Sequence, residues 1–556
     1  MRSFLAALLL VSTVGCATGS PDGTDTPANP ARGEATPFDG YTLFHPLTST
    51  SVYLVDMNGE LVHQWRTEYN TGQCVYLLDN GNLLRCARDP EPAGPYRGGG
   101  DGGIIQEIAP DSTLVWEYKY SDELKRHHHD VEIMPNGNVL LIAWEGRTYE
   151  EAVQAGINPV RMQDDEIWPD FIVEIEPVYP DGGNIVWEWH VWDHLVQELY
   201  RDKDNYGTVA EHPELIDINA APAHRERTEM ATPENVAALR ALGYIAGSAE
   251  TDDRPEIGRD WLHTNSVDYN EQLDQILISS RHFSEIWIID HSTTTEEAAS
   301  HSGGRYGKGG DLLYRWGNPE AWGVGGVEDR QLFVQHDAQW IPPGYPGAGN
   351  ITVFNNGARR AEEPWTSAEE IVPPRNPDGS YVMEPGIPAG PAAPVWSWSD
   401  PNPTSVYASN LGGVQRLPNG NTLIGVGVGG RMIEIGAAGQ IVWEYTNAYQ
   451  ENEGPQAEER RRREEQRLQE EAEEAATAAA AGEEVGGGGD RGGGEEVGGG
   501  ARGGGEGDER GEGGDNRGRG GPRTPGSTYR ALRLAADHPG IAIVLTQANA
   551  GAGSSQ

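Results

Sequence analysis

One short pattern recurs six times and limits the fold more than any other feature of the chain. A strand with Trp at or near its end appears as Glu60-Leu-Val-His-Gln-Trp65, Thr113-Leu-Val-Trp-Glu-Tyr118, Asn184-Ile-Val-Trp-Glu-Trp189, Asp311-Leu-Leu-Tyr-Arg-Trp316, Ala393-Pro-Val-Trp-Ser-Trp398 and Gln440-Ile-Val-Trp-Glu-Tyr445. Apolar and polar residues alternate with period 2, as in a half-buried strand. Upstream, Leu78-Asp-Asn-Gly-Asn-Leu83, Met134-Pro-Asn-Gly-Asn-Val139 and Leu417-Pro-Asn-Gly-Asn-Thr422 carry Asn-Gly between apolar runs. That dipeptide suits a tight turn with φ > 0 and so marks a second hairpin per unit. Two hairpins make four strands, one propeller blade. The expected fold is all-β: a six-bladed β-propeller over 41–448 with long inter-strand insertions. A β-sandwich is the competing architecture.

The flanks differ in kind. Residues 1–15 read as a signal peptide: Arg2 is basic, and Phe4 to Val14 is apolar but too short to span a bilayer. Cys16 follows a small residue and is a candidate for lipidation, although Thr13 departs from the usual Leu, so plain secretion stays open. Residues 16–40 form a lipidated or flexible tether. Residues 449–526 form an insert, Glu/Arg/Ala-rich and then Gly-rich, too poor in apolar residues to bury a core and expected to be disordered. Residues 527–556 follow it, with strand-like runs at 529–534 and 541–545 expected to close the ring by completing the first blade. Another insertion, 200–258, has helical character at Pro233–Leu242. Cys74 and Cys86 flank a hairpin turn, and a cross-strand disulfide and two buried thiols are equally consistent with that.

Lys+Arg total 41 against 86 Asp+Glu, a formal net charge of −45. So acidic a chain is a poor partner for phosphate backbones, and no nucleic acid is expected. With no apolar run of membrane-spanning length, a membrane is met only through an N-terminal lipid. Neither a nucleotide-binding P-loop nor a Rossmann glycine turn is present, and no cofactor is implied.

Against this acidic background, histidines recur at one phase of the repeat. His129 and His336 stand six residues before Pro135 and Pro342 and are each followed by Asp, while His263 holds the same distance from Asn270 that His129 holds from Asn136. Gln73 and Gly412 occupy that phase elsewhere. The strand that opens each unit should be innermost, with its end at the mouth of the central channel. Asn265 lies two residues beyond His263 and should share its face, with Arg281 opposite on the returning strand. Asp130 and Asp337 should alternate to the other face. Three imidazoles, an amide and a planar guanidinium suit a tetrahedral anion, with one His free to act as nucleophile. Taken singly, a structural His and a surface Arg salt bridge are the ordinary alternatives. His127 and His129 with His263 and His336 leave a multi-His metal site open, though Arg281 beside a dication argues against it, and the reading adopted has no metal. His45, His63, His190, His194, His282, His291 and His301 lack such support and read as structural or surface.

These blocks resemble a known family, the bacterial aryl-sulfate sulfotransferases: nucleotide-independent propeller enzymes of the periplasm. The most specific are Trp261-Leu-His-Thr-Asn-Ser-Val-Asp-Tyr-Asn270 with Ile278-Ser-Ser-Arg281, His128-His-Asp-Val131, and Gln335-His-Asp-Ala-Gln-Trp340 with Phe354-Asn-Asn-Gly357. The resemblance implies that His336 is a transiently sulfated nucleophile. It implies that His263, Asn265 and Arg281 grip the sulfuryl oxygens and that His129 serves as acid/base, with His128 alongside. Trp261 and Trp340 are candidates for stacking on aryl rings, with blade core as the alternative. The implied partners are an aryl sulfate donor and a phenolic acceptor. Periplasmic localisation is implied, anchored to the outer membrane if Cys16 is lipidated, and a homodimer stays open. A sulfate-ester hydrolase using the same pocket and a non-catalytic ligand-binding propeller are the competing functions.

Overall fold

The computed structural model describes residues 35–47, 49–220, 257–358, 360, 363–403, 405–449 and 526–553. Six antiparallel four-stranded sheets form the blades of a propeller. Blade one is ordered Thr528–Ala535, Gly40–Pro46, Ser51–Val55, Leu61–Arg66, so its first strand comes from beyond the low-complexity insert. The first strands of blades two to six are Thr71–Leu77, Lys125–Ile133, Thr264–Asn270, His336–Trp340 and Gly413–Arg416. Each of these six strands contacts the first strands of the blades on either side, and the circuit closes from Gly413–Arg416 back to Thr528–Ala535. They therefore line the axis, and the sandwich alternative is excluded.

The repeated Trp strand is the outermost of each blade, and its indole explains why the pattern persists. Trp116 donates Nε1–H to the Gly182 carbonyl at 2.8 Å, Trp189 to Gly310 at 2.7 Å, Trp316 to Pro391 at 2.8 Å, Trp398 to Gly439 at 2.9 Å and Trp443 to Met57 at 2.8 Å. Each acceptor lies in the connection between the third and outer strands of the next blade. A large apolar ring thus fills the seam while its one polar atom is satisfied by the neighbour. The Trp443–Met57 bond joins the last blade to the first. Trp65 is buried, and its Nε1 has no partner. Trp443→Phe should therefore cost about 1 kcal/mol in denaturant unfolding, whereas Trp65→Phe should cost less or nothing.

One local reading is corrected. Residues 541–545 are not a strand: they lie in the helix Pro539–Gly553. Ile541 and Val544, three apart, face one way into a core with Leu43, Val75 and Leu77, while Ile543 stays exposed. A Pro in the first turn starts the helix without losing a needed N–H. Cys74 and Cys86 are joined as a disulfide across the first two strands of blade two. Pro233–Leu242, Cys16, the signal peptide and residues 450–525 of the insert lie outside the described residues.

Candidate active site

The axial strands do not run regularly past the repeat phase that holds the histidines. In blade three, His127 pairs with Ala143 and Val131 with Leu141, so His128, His129 and Asp130 oppose a single residue. In blade four, Asn265 and Ser266 sit between the Thr264–Ser280 and Val267–Ile278 pairs, and in blade five Asp337 and Ala338 sit between His336–Phe354 and Gln339–Thr352. The axial strands of blades two and one bulge likewise, at Gly72–Cys74 and at Tyr529–Arg530. A bulge re-aims the side chains it contains. His129, His263 and Asp337 hold φ of 57°, 53° and 54°, an uncommon region for non-glycine residues that costs of order 1 kcal/mol or more each.

This distortion brings the imidazoles together. The His129 and His263 rings lie edge to face with centroids 4.6 Å apart, and the Tyr529 ring stands 6.4 Å from His129 and 6.3 Å from His336. The Arg281 guanidinium acts electrostatically on both His336 and His129. Four of the residues singled out from sequence, His129, His263, Arg281 and His336, thus converge on one axial site. Tyr529 joins them, its hydroxyl donating to the Asn265 carbonyl.

Hydrogen-bond direction assigns the nitrogens. Asn356 Nδ2 donates to the carbonyls of Ala408 and Leu411 at 2.9 and 2.8 Å, which fixes its amide orientation and leaves Oδ1 as acceptor. His336 Nδ1, 2.7 Å from that Oδ1, must carry the proton, so Nε2 holds the lone pair. Burial first, then the Arg281 field, drives the His336 pKa well below 6.5, against the Asn356 bond. His129 is likewise lowered by burial, then by His263, His128, His336 and Arg281. Both rings are therefore neutral near pH 7.

Behind His129 lie His128 and Asp170. His129 Nδ1 is 2.8 Å from His128 Nδ1, and His128 Nε2 is 3.3 Å from Asp170 Oδ1. Asp170 accepts at Oδ2 from the Thr264 amide at 2.7 Å. The His128–Asp170 approach is a close contact without a hydrogen bond, since neither His128 Nε2 nor Asp170 Oδ1 has a hydrogen-bond partner. His263 pairs through Nδ1 with Asp260, which also takes the Trp144 indole N–H at 3.2 Å. Burial opposes the charged form of Asp260, but His263, His282 and His128 hold its carboxyl below the ordinary value.

Several sequence readings change. His128 is fully buried, stacked on Trp144 at 4.0 Å, and supports His129 from behind rather than facing a ligand. Trp261 is buried, donates to the Ala220 carbonyl at 2.9 Å and packs on Phe283; Trp340 lies in core with Ile351 and Val353. Both are blade core, because their side chains point between blades. Asn265 is buried with Nδ2 donating to the Gln335 carbonyl at 2.8 Å, while its Oδ1 has no partner. The unpaired atom is thus an acceptor and not a donor. The multi-His set does not assemble: His127 turns away to the Ile142 carbonyl and Cys86 Sγ at 3.0 and 3.2 Å. Within the site, Asp260, His263 and His282 have metal-ligand-type atoms within 4.8 Å of one another.

Asp130 and Asp337 do not leave the axis. Arg530 of blade one binds Asp130 of blade three and, at 3.0 Å, Asp337 of blade five. Strands of three alternate blades can meet only around the axis, so these charges form a layer of their own beside the histidines. Asp337 also accepts from the Val414 amide of blade six at 2.8 Å, and Asp130 from the Tyr76 hydroxyl at 2.8 Å. Gly100 closes another wall: a Cβ there would lie 2.1 Å from the His129 ring. Sequence reasoning missed Tyr529, Arg530, Asn356, Asp170, Asp260 and Gly100. Asn356 and Asp260 stood in or beside motifs already singled out, and Tyr529 and Arg530 in the run expected to close the ring, but none was assigned to the site.

The family model that describes arylsulfotransferase (ASST) matches residues 46–451. The chain belongs to the arylsulfotransferase family. Membership supports aryl sulfotransferase activity in general and small-molecule substrates. No curated protein matches the chain. Among solved structures, a Bacteroides caccae protein of unknown function is similar at 11% identity and TM-score 0.38, with 73% of this chain and 94% of that one covered. Virginiamycin B lyase from Staphylococcus aureus matches at 8% identity and TM-score 0.31, covering 75% and 86%; the Cps50 (Swd1) propeller domain of Myceliophteria thermophila matches at 10% and 0.30, covering 75% and 88%. Likeness at this level carries no argument about function.

Proposed function

We propose that this arylsulfotransferase-family protein moves a sulfuryl group from an aryl sulfate to a phenolic acceptor in two half-reactions through a sulfo-histidine. His336 Nε2 attacks sulfur, the N–S bond forms, and the S–O bond breaks with its electron pair leaving on the aryl oxide. The donor leaves and a phenol takes its place. His129 Nε2 removes the phenol proton, the phenolic oxygen attacks sulfur, and the N–S pair returns to His336. Arg281 and His263 bear on the equatorial oxygens, where charge is greatest in the transition state, with Asn265 beside them. His128 orients His129 through the bond between their Nδ1 atoms.

The observation that carries this reading is a neutral His336 whose Nδ1–H is fixed by Asn356, leaving a lone pair beside a guanidinium. The N-terminal features fit an exported, lipid-anchored enzyme of the periplasm, where an ester donor replaces an activated nucleotide. The test is mass spectrometry after exposure to p-nitrophenyl sulfate alone. A gain of about 80 Da on the peptide bearing His336 is expected of a covalent intermediate. A donor-dependent nitrophenol burst without that adduct would reject it. Nitrophenol release that needs added phenol identifies transfer, and release into water alone identifies hydrolysis.

The pH profile follows from the lowered pKa values. A His whose folded pKa is depressed stays neutral until the pH falls well below 6.5, so the acid limb of kcat/KM should lie below that value. In Arg281→Ala the field that depresses His336 is removed, and the limb should move toward higher pH while kcat falls. A limb unmoved by this substitution would separate Arg281 from His336.

A further inference from the structure

Away from the axis, the rim between blades three and four holds a second constellation of histidines. His194 ends the short 3-10 turn Val191–His194 that follows the outer strand of blade three. His301 and Asp311 come from the connection between Glu285–Asp290 and Tyr314–Trp316 of blade four. The Trp189–Gly310 bond pins this seam, and the His194 ring lies nearly parallel to Trp189 with centroids 5.7 Å apart. The ligand-type atoms of His194, His301 and Asp311 all lie within 4.8 Å of one another.

Proton bookkeeping at this cluster does not close with two neutral rings and an ionised carboxylate. His194 Nε2 is 2.8 Å from the Ala298 carbonyl, which can only accept, so Nε2 carries hydrogen. A neutral His194 then has its lone pair on Nδ1, which points at Asp311 Oδ1 from 2.9 Å. His301 Nδ1 approaches the same oxygen at 2.7 Å. Two lone pairs face each other unless His194 is doubly protonated or a cation lies between them. The Nε2–H to carbonyl bond is also the outer partner that commonly orients a metal-bound histidine. His194 is fully buried and the Asp311 side chain 9% exposed, whereas the His301 side chain is 62% exposed. His301 also forms part of the wall of a cavity of about 350 Å³ with Trp192, His212, Asp193 and Asp204.

We propose that His194, His301 and Asp311 bind a transition-metal dication of the Zn²⁺ class, with a fourth coordination position open toward this cavity. Two imidazoles and one carboxylate are a ligand set suited to such an ion. The His194 Nδ1–Asp311 Oδ1 and His301 Nδ1–Asp311 Oδ1 separations, 2.9 and 2.7 Å, must open by about 0.5 Å to reach the ~3.3 Å spacing of a tetrahedron with metal–ligand distances of about 2.0–2.1 Å. Asp193 and Asp204 add a negative field that favours a cation at the mouth. Bound there, the ion clamps the insertion after blade three onto blade four.

The test uses the full chain, stripped with a chelator and titrated with Co²⁺ as a spectroscopic probe and with Zn²⁺ by calorimetry. One equivalent should bind, with the intense visible bands of tetrahedral Co²⁺. His301→Ala, at an exposed side chain, should keep the fold and weaken binding at least 10-fold. Asp311→Asn should do the same. Absence of stoichiometric binding overturns the proposal and identifies the cluster as an imidazolium–carboxylate pair. Undiminished binding in His301→Ala overturns it too, by assigning the ion to Asp260, His263 and His282. Neither result bears on whether His336 becomes sulfated.

Discussion

His336→Asn should leave a folded protein that neither releases nitrophenol from p-nitrophenyl sulfate nor gains the sulfuryl mass. Loss of a covalent nucleophile typically removes turnover by a factor on the order of 10⁴ or more. The substitution is nearly isosteric at the root of the ring and gives up one hydrogen bond, to Asn356, worth about 1 kcal/mol. Unfolding by denaturant should therefore shift little while activity vanishes. The contrast with His129→Asn separates the roles. That variant should still take up the sulfuryl group from a donor with a good leaving group, such as nitrophenolate, which needs no proton. It should then fail to pass the group to a weakly acidic phenol, so the adduct accumulates. If His336→Asn retains the adduct, the nucleophile is another residue, and His263 is the next candidate because it shares the cavity.

The sequence made the ring legible because each outer strand repeats the same residue. Trp fills a seam in all six strands, and in five of them it also reaches, through its indole N–H, the blade beyond, whatever the length of the insertions. The histidines were legible for a related reason: side chains that converge on an axis sit at the same phase of successive units, so His129, His263 and His336 could be aligned without coordinates. Strand alternation then misled. Period-2 reasoning sent Asp130 and Asp337 to the opposite face, but the bulges at His128–Asp130 and Asp337–Ala338 break the alternation and return both carboxylates to the axis. The same irregularity buries His128 behind His129. Trp261 and Trp340 flank the motifs in sequence, but alternation around a blade points them into the seams. Tyr529 and Arg530 were hidden for a different reason. The strand at 529–534 was expected to complete blade one, but it lies beyond the insert, where no repeat phase marked which of its side chains face the axis.

Arg530 is where that late strand has its largest consequence. Arg530→Met should destabilise the propeller by about 3–5 kcal/mol, the range for removing one partner from a buried ion pair. The side chain is 3% exposed and reaches two carboxylates, each bonded to further blades, so its loss leaves Asp130 and Asp337 facing each other without a cation. The pH dependence carries a sign that tests the cause. Burial raises the Asp337 pKa to about 6 even with Arg530 opposing it. A carboxyl raised above its unfolded value of 3.8 contributes stability at low pH that is lost as the pH rises through the folded value. Without Arg530 that folded value goes higher, and the loss extends above pH 6. The deficit of Arg530→Met relative to the parent should accordingly be greater at pH 8 than at pH 5. Adding Asp337→Asn should restore part of it, because the substitution removes one of the stranded charges, and a double-mutant cycle would give the coupling directly. A deficit independent of pH and unrelieved by Asp337→Asn would mean that the Arg530 stem, packed beside Tyr76 and Tyr529 with its guanidinium 5.7 and 5.0 Å from their ring centroids, matters for its volume rather than its charge. Because Tyr529 is the adjacent residue in the bulge and stands beside His129 and His336, the same variant should lose activity before it loses its fold.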